Sequence, residues 1–297
     1  MTSVLDAGWE VWAAGLLALL AAALFALASA VEQRSAASVP DEQARGLDLA
    51  RILLRSRLWW SGWLADASGY FVQAAALGLG SLLLVQPLLV TTVLFALPLA
   101  ARWSGRRLRR SDRAWSAVLV AALGIFMVIG NPTAGADSAG WRAWLPSLTV
   151  LAAACAVCFV GAAVRRGTAR AVLLAVATGM INGTSAALTK GVVDLLGDGP
   201  AAVLGHWSTW LLATTLLLGA FVQQSAYQAG PLEASLPATT VLEPVVAAVL
   251  GVVVLGERLQ ADGVEWVLIA VLVVAMAAAT AALARASVEH VPAPAPA

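Results

Sequence analysis

The chain has 297 residues, of which 61% are hydrophobic and only 12% charged, with a formal net charge of +1. So little polar surface cannot coat a water-soluble globule, and a bilayer is the expected solvent. The net charge carries no message about partners, because the cations are sorted along the chain.

A hydrocarbon core about 30 Å thick needs roughly 20 apolar residues rising about 1.5 Å each. Windows of that kind fall at 9–31, 58–80, 82–103, 114–130, 145–164, 170–190, 205–228, 235–256 and 263–284. They predict an all-α polytopic membrane protein with about nine transmembrane helices. The first window ends in Ala28, Ser29 and Ala30, a small-residue run like a signal cleavage site. It is preceded by Asp6 and Glu10 and meets no cation before Arg34, so it reads as a retained helix.

Basic loops resist translocation, so the arginines predict orientation. The loops after the first, third and fifth windows, with the tail, hold fifteen of the eighteen cations; Arg142, Lys190 and Arg258 lie on the opposite side. This expectation puts the amino terminus outside and the carboxyl terminus in the cytoplasm. The tryptophans, all at or near window ends, agree with it. The basic block WSGRRLRRSDR at 103–113 then reads as a topological anchor, and nucleic acid is not an expected partner.

Cys155 and Cys158 form CxxC inside the fifth window, where an apolar helix face makes them small buried residues. His206 and His290 have no partners in sequence. No metal, cofactor or nucleophile–base set emerges, and no enzymatic reaction is expected. The end VPAPAPA reads as part of a disordered cytoplasmic tail at 285–297.

GYFVQAAALGLGSLLLVQP at 69–87 is echoed by GAFVQQSAYQAGPLEASLP at 219–237. Adding 150 pairs Gly69 with Gly219, Gln73 with Gln223, Gly80 with Gly230 and Pro87 with Pro237. A one-residue slip then pairs Gly105 with Gly256, Arg107 with Arg258 and Trp115 with Trp266. Glycine, proline and tryptophan matches in one register indicate an internal duplication. Equivalent windows are five apart, an odd interval that reverses their direction through the membrane. Two inverted-topology repeats are therefore expected: 1–130 with cytoplasmic loop 32–57, and 170–284, joined by a connector at 131–169. That arrangement is a mark of secondary transporters.

LEPVVAAVLGVVVLGERLQADGVEWVLIA at 242–270 resembles the end of an EamA-type repeat of the drug/metabolite transporter superfamily, with an EP pair opening a helix and a GE pair closing it. VQPLLVTTVLFALPLAARWSG at 85–105 resembles the same element, with Arg106 where the acidic residue of the GE pair stands. WWSGWLADASGYFVQAAALGLGSLLLVQPLL at 59–89 is similar to the NIPA branch, in which magnesium transport is reported for some members. The resemblance spans about 15–284, and ten helices are the common count in that superfamily. It implies a multi-pass carrier of small metabolites, often an exporter, in a bacterial cytoplasmic membrane. The expected partners are a small-molecule solute, the lipid bilayer and, as a homodimer, a second copy of the chain.

Glu243 lies roughly 10–17 Å from the cytoplasmic face, a depth at which a lipid-exposed charge is costly. Pro244 lacks an N–H and leaves the carbonyl of Thr240 free, so the pair offers a solute or proton site. Structural hydrogen bonding or snorkelling is the plain alternative for Glu243. Asp66, about 12 Å deep, begins a stripe with Gly69, Tyr70 and Gln73 that either faces a cavity or lets another helix pack close. Gln73 and Gln223, with Gln224 and Tyr227, suit a polar solute contacted from both repeats, or interhelical hydrogen bonds. Asn182, Thr184, Ser185 and Thr189 are weaker candidates. Glu257 and Arg258 are expected to cap and anchor a helix end. Pro87, Pro98, Pro237 and Pro244 are the candidate helix bends. A secondary active transporter working by alternating access, with proton coupling open to it, is the leading expectation. A divalent-cation carrier and a flippase of lipid-linked substrates remain alternatives.

Overall fold

Inside a bilayer a peptide group finds no water, so each apolar segment must satisfy its own N–H and C=O groups as helix. The computed structural model describes residues 2–37, 57–103, 108–230 and 232–289, and almost all of them are helical. The helices are α1 Thr2–Ala37, α2 Arg57–Leu79, α3 Leu82–Leu89, α4 Thr92–Trp103, α5 Arg110–Gly130, α6 Trp141–Val164, α7 Gly167–Asp194, α8 Pro200–Gly205, α9 Trp207–Ala229, α10 Leu232–Val253 and α11 Glu265–Glu289. Most of the long loop expected at 32–57 lies outside the described residues. The last helix continues to Glu289, past the expected start of the tail at 285, and 290–297 lie outside the description.

Among the described residues, seven stretches are long and apolar enough to cross a membrane: Trp9–Val31, Leu82–Leu99, Arg110–Gly130, Trp141–Val164, Gly167–Asp198, Ser235–Val253 and Glu265–Ala286. The architecture is that of a helical, membrane-embedded protein. α2 and α9 are outside this set although each has 23 residues. Their mean hydropathy is lowered by Asp66, Tyr70 and Gln73 in one and by Gln223, Gln224 and Tyr227 in the other.

The third window does not form one helix. It breaks at Val90 and Thr91, between α3 and α4, where Thr91 N–H bonds back to Leu88 O at 3.0 Å. Thr91 Oγ1 donates to Leu88 O at 2.6 Å and Thr92 Oγ1 to Leu89 O at 2.7 Å. The two hydroxyls thus supplement the carbonyls at the break, which follows Pro87. Pro98, Pro237 and Pro244 lie inside continuous helices.

α7 is the central post, buried along much of its length and packed against α2, α6, α9 and α10. Small residues make this possible, since a helix without bulky side chains lets neighbouring backbones come close. A Cβ built on Gly179 would lie 2.8 Å from Leu242 Cβ, and one on Gly183 would lie 2.6 Å from the Glu243 carbonyl oxygen. α7 and α10 therefore run in near backbone contact. α1 packs against α2, α3 and α4, with Ala14, Ala18, Ala21 and Ala22 all buried. α5 packs on α11.

Two glycine contacts set α2 against α1. A Cβ on Gly69 would meet the Phe25 ring at 2.9 Å, and one on Gly80 would meet Ala14 Cβ at 2.7 Å. Two more set α9 against α7: Gly219 faces Asn182 Oδ1, and Gly230 faces Ala171 Cβ at 3.1 Å. At one end of the bundle Pro132–Thr133 forms an antiparallel ladder (β1) with Arg258–Leu259 (β2). Gly124, in contrast, would have nothing within 4 Å of an added methyl. Gly124→Ala should therefore stabilise the protein by about 0.5–1 kcal/mol through helix propensity alone, checked by thermal unfolding in detergent.

Candidate functional site

Asp66, Tyr70 and Gln73 share one side of α2, opposite Leu64 and Phe71, which face outward. Tyr70 and Gln73 of the expected stripe turn inward toward α7, while Asp66 on the same side is exposed. Thr189 Oγ1 donates to Ser185 O at 2.8 Å, so its remaining capacity accepts the Tyr70 hydroxyl 2.7 Å away. Further along, Gly78 sits against Val193, so α2 and α7 run in the same direction. Asp66 therefore lies near the level of Asn182, one to two turns before the Tyr70–Thr189 bridge.

Glu243 meets it from α10. Its side chain is half-buried, and Oε2 accepts Asn182 Nδ2 at 3.4 Å. Asp66, one turn before Tyr70 on α2, is exposed near the level of Asn182. Asn182 is held by the close approach of Gly219 on α9. The core of the site is thus two acids and an amide at one depth, contributed by α2, α7 and α10. Such a set can accept hydrogen bonds from a polar solute, and it can take up or release a proton at either carboxyl.

Other sequence candidates go elsewhere. Gln73 is buried, while Gln223 spends its Nε2 on Tyr227 Oη in the same helix at 2.7 Å, and Gln224 is exposed. The matching glutamines therefore have unlike settings. Thr240 bonds to Leu236 O at 2.6 Å and, with Pro244, lines a cavity of about 350 Å³. That cavity is apolar, bounded by Leu83, Pro87 and Val90 on the first half and by Val273 and Met276 on α11. Thr240 lines this cavity, whereas Glu243, one turn on, does not. Thr184 and Ser185 donate to carbonyls four residues back, as buried helix hydroxyls do.

Two residues acquire roles that loop counting hides. Lys190, expected as a loop cation, is 2% exposed and places Nζ 3.0 Å from Glu257 Oε1. Glu257, itself 1% exposed, also accepts Leu82 N–H at 2.8 Å and Leu83 N–H at 3.0 Å. The cap expected of Glu257 is real, but the helix it caps is α3, in the other half of the chain. His206 caps its own helix, α9, by accepting Ser208 N–H at 3.3 Å. Among the described residues no three His, Cys, Asp or Glu side chains group together to hold a metal ion.

No family model and no solved structure matches the chain. The "uncharacterized protein Cgl0250/cg0304" of Corynebacterium glutamicum is 38% identical over 278 residues, 90% of this chain and 96% of that protein. The chain belongs to that family. The match covers nearly all of both chains.

Proposed function

We propose that the chain is a secondary active transporter of a small polar metabolite, an exporter, working by alternating access. It has nine crossings in two inverted halves, the amino terminus outside and the carboxyl terminus in the cytoplasm. It is an EamA-like member of the drug/metabolite transporter superfamily. The carrying observation is a contact pattern that occurs twice. Adding 150 takes Gly69 and Gly80 to Gly219 and Gly230, and adding 157 takes their neighbours Phe25 and Ala14 to Asn182 and Ala171. Two independent glycine contacts reproduced by one pair of offsets support a duplicated fold rather than a chance resemblance of apolar sequence.

The loops support the crossings. Those after the second, fourth, sixth and eighth spans come together, through Leu82 with Glu257, Ala136 with Leu255 and Lys190 with Glu257. On the opposite side Gly230 meets Gly167, joining the loops after the fifth and seventh spans. That alternation needs α2 and α9 to cross. It also makes spans five apart antiparallel, the inversion that lets two halves exchange an outward-open for an inward-open cavity. The halves differ chemically, since Asn182 stands where the first half has Phe25. The solute site is accordingly one-sided, with Asn182 and Glu243 from the second half and Asp66 from the first.

Proteoliposomes loaded with a panel of small polar metabolites, with a trapped pH dye, test the reading. Glu243→Gln and Asp66→Asn should each lower solute efflux at least tenfold, and Glu243→Gln should abolish coupled proton movement. Wild-type rates in both variants would remove the carboxylates from the mechanism. The apolar cavity between α3, α10 and α11 favours a second reading, a solute carrying a lipid tail that lies in that groove. Efflux blocked by a bulky Ala248→Trp change, with the acids dispensable, would select it.

A further inference from the structure

At the end of the bundle beyond the Tyr70–Thr189 bridge, segments from both halves are joined by polar contacts. Glu257, just after α10, has its two oxygens on the first two N–H groups of α3 and on Lys190 Nζ. Ala136 N–H donates to Leu255 O at 2.7 Å, and Gly135 fits so closely against Leu255, Gly256 and Glu257 that a side chain there would collide with backbone. Gln260 N–H donates to Gly130 O at 2.9 Å, and Asn131 Nδ2 to Gln260 Oε1 at 2.8 Å. Asp137, 63% exposed, stands 4.0 Å from Lys190 Nζ on the water side.

We propose that this cluster is a gate: Glu257, held by Lys190 and seated on the start of α3, closes the pathway between the halves at this face and leaves α3 when the site opens there. The inference rests on the transporter reading. Within each half the helices meet through glycine and alanine in backbone contact, which admits little movement without repacking. Between the halves at this face they meet through the Glu257 carboxylate on the α3 N–H groups and through the Asn131 and Gln260 amides, whose bonds water can replace. A buried ion pair stabilises a junction while dry, and the solvation of each ion offsets much of the loss once water enters. Under the proposed orientation the gate faces the outside, and the structure is closed there.

The test needs no solute. In a Cys155→Ser/Cys158→Ser background, Ser185→Cys places a near-isosteric thiol on α7 one turn inside the Tyr70–Thr189 bridge. A membrane-impermeant maleimide is applied to right-side-out and to inside-out vesicles, and labelling is read at position 185 by peptide mass. Thr133 and Arg258 are directly paired in the ladder, so Thr133→Cys/Arg258→Cys places two thiols within disulfide range and costs the junction only the Thr133 Oγ1–Arg258 O hydrogen bond. With this staple oxidised, labelling from the gate face should fall at least tenfold relative to the reduced protein, with labelling from the other face retained. Without the staple, Glu257→Gln should raise labelling from the gate face severalfold. Gate-face labelling unchanged by the oxidised staple would overturn the gate while leaving the transporter reading intact. A thiol at 185 labelled from neither face in any variant would overturn the transporter reading as well.

Discussion

Lys190→Met should cost the folded protein about 3–5 kcal/mol, the range for removing one member of a buried ion pair. The methionine approximates the length and apolar bulk of the lysine stem, so packing is largely kept and the missing charge dominates. Glu257 would retain the Leu82 and Leu83 N–H groups but would have lost its cation in a site from which water is excluded. Asp137 cannot compensate, being itself an acid. Thermal unfolding in detergent would read the loss directly. The double variant Lys190→Met/Glu257→Gln should recover part of it, because the uncompensated charge is then gone, and the two single effects should fail to add by about 1 kcal/mol or more. A Lys190→Met protein that melts with the wild type would mean that the pair contributes nothing net.

Gly183→Ala should be the most damaging single-methyl change in the membrane-spanning region. The added carbon would lie 2.6 Å from the Glu243 carbonyl oxygen, 2.8 Å from Val246 Cβ and 3.1 Å from Ala247 N. Two of these are backbone atoms, which cannot rotate away as a side-chain tip can. α7 and α10 must separate, at a cost of about 1–3 kcal/mol for overpacking. The separation would also draw Glu243 away from Asn182, so transport should fall further than stability explains. Gly124→Ala is the internal control, since it adds the same methyl to a helix with open space around it. Comparable melting of the two variants would refute the close approach of α7 and α10.

The helices are legible in the chain because hydropathy is a local property, and a run of apolar residues has one viable conformation in lipid. Pro87 predicts a bend at the proline itself, whereas the break occurs at Val90 and Thr91, where two threonine hydroxyls can serve the carbonyls at the break. The Asp66 stripe is visible in sequence, but the direction it faces is not. Asn182 ranks below the glutamines by sequence, although it is the residue that touches Glu243, while Gln223 bonds within its own helix. Periodicity gives no help, because lipid and a packed helix interior are both apolar and one face of such a helix looks much like another.

Residue order alone was enough to establish a membrane solvent, the helical segments and the matching glycines of 69–80 and 219–230, since each depends on neighbours in the chain or on a fixed spacing. Folding decided that Glu257 reaches back to the start of α3, that Lys190 is buried rather than washed by water, and that Thr240 but not Glu243 lines the apolar cavity. Those outcomes depend on the rotation and register of helices packed against distant ones, and packing in a bilayer is set by shape and by pairing of a few polar groups. A single strand of letters records which groups exist, and only the assembled bundle records which of them meet.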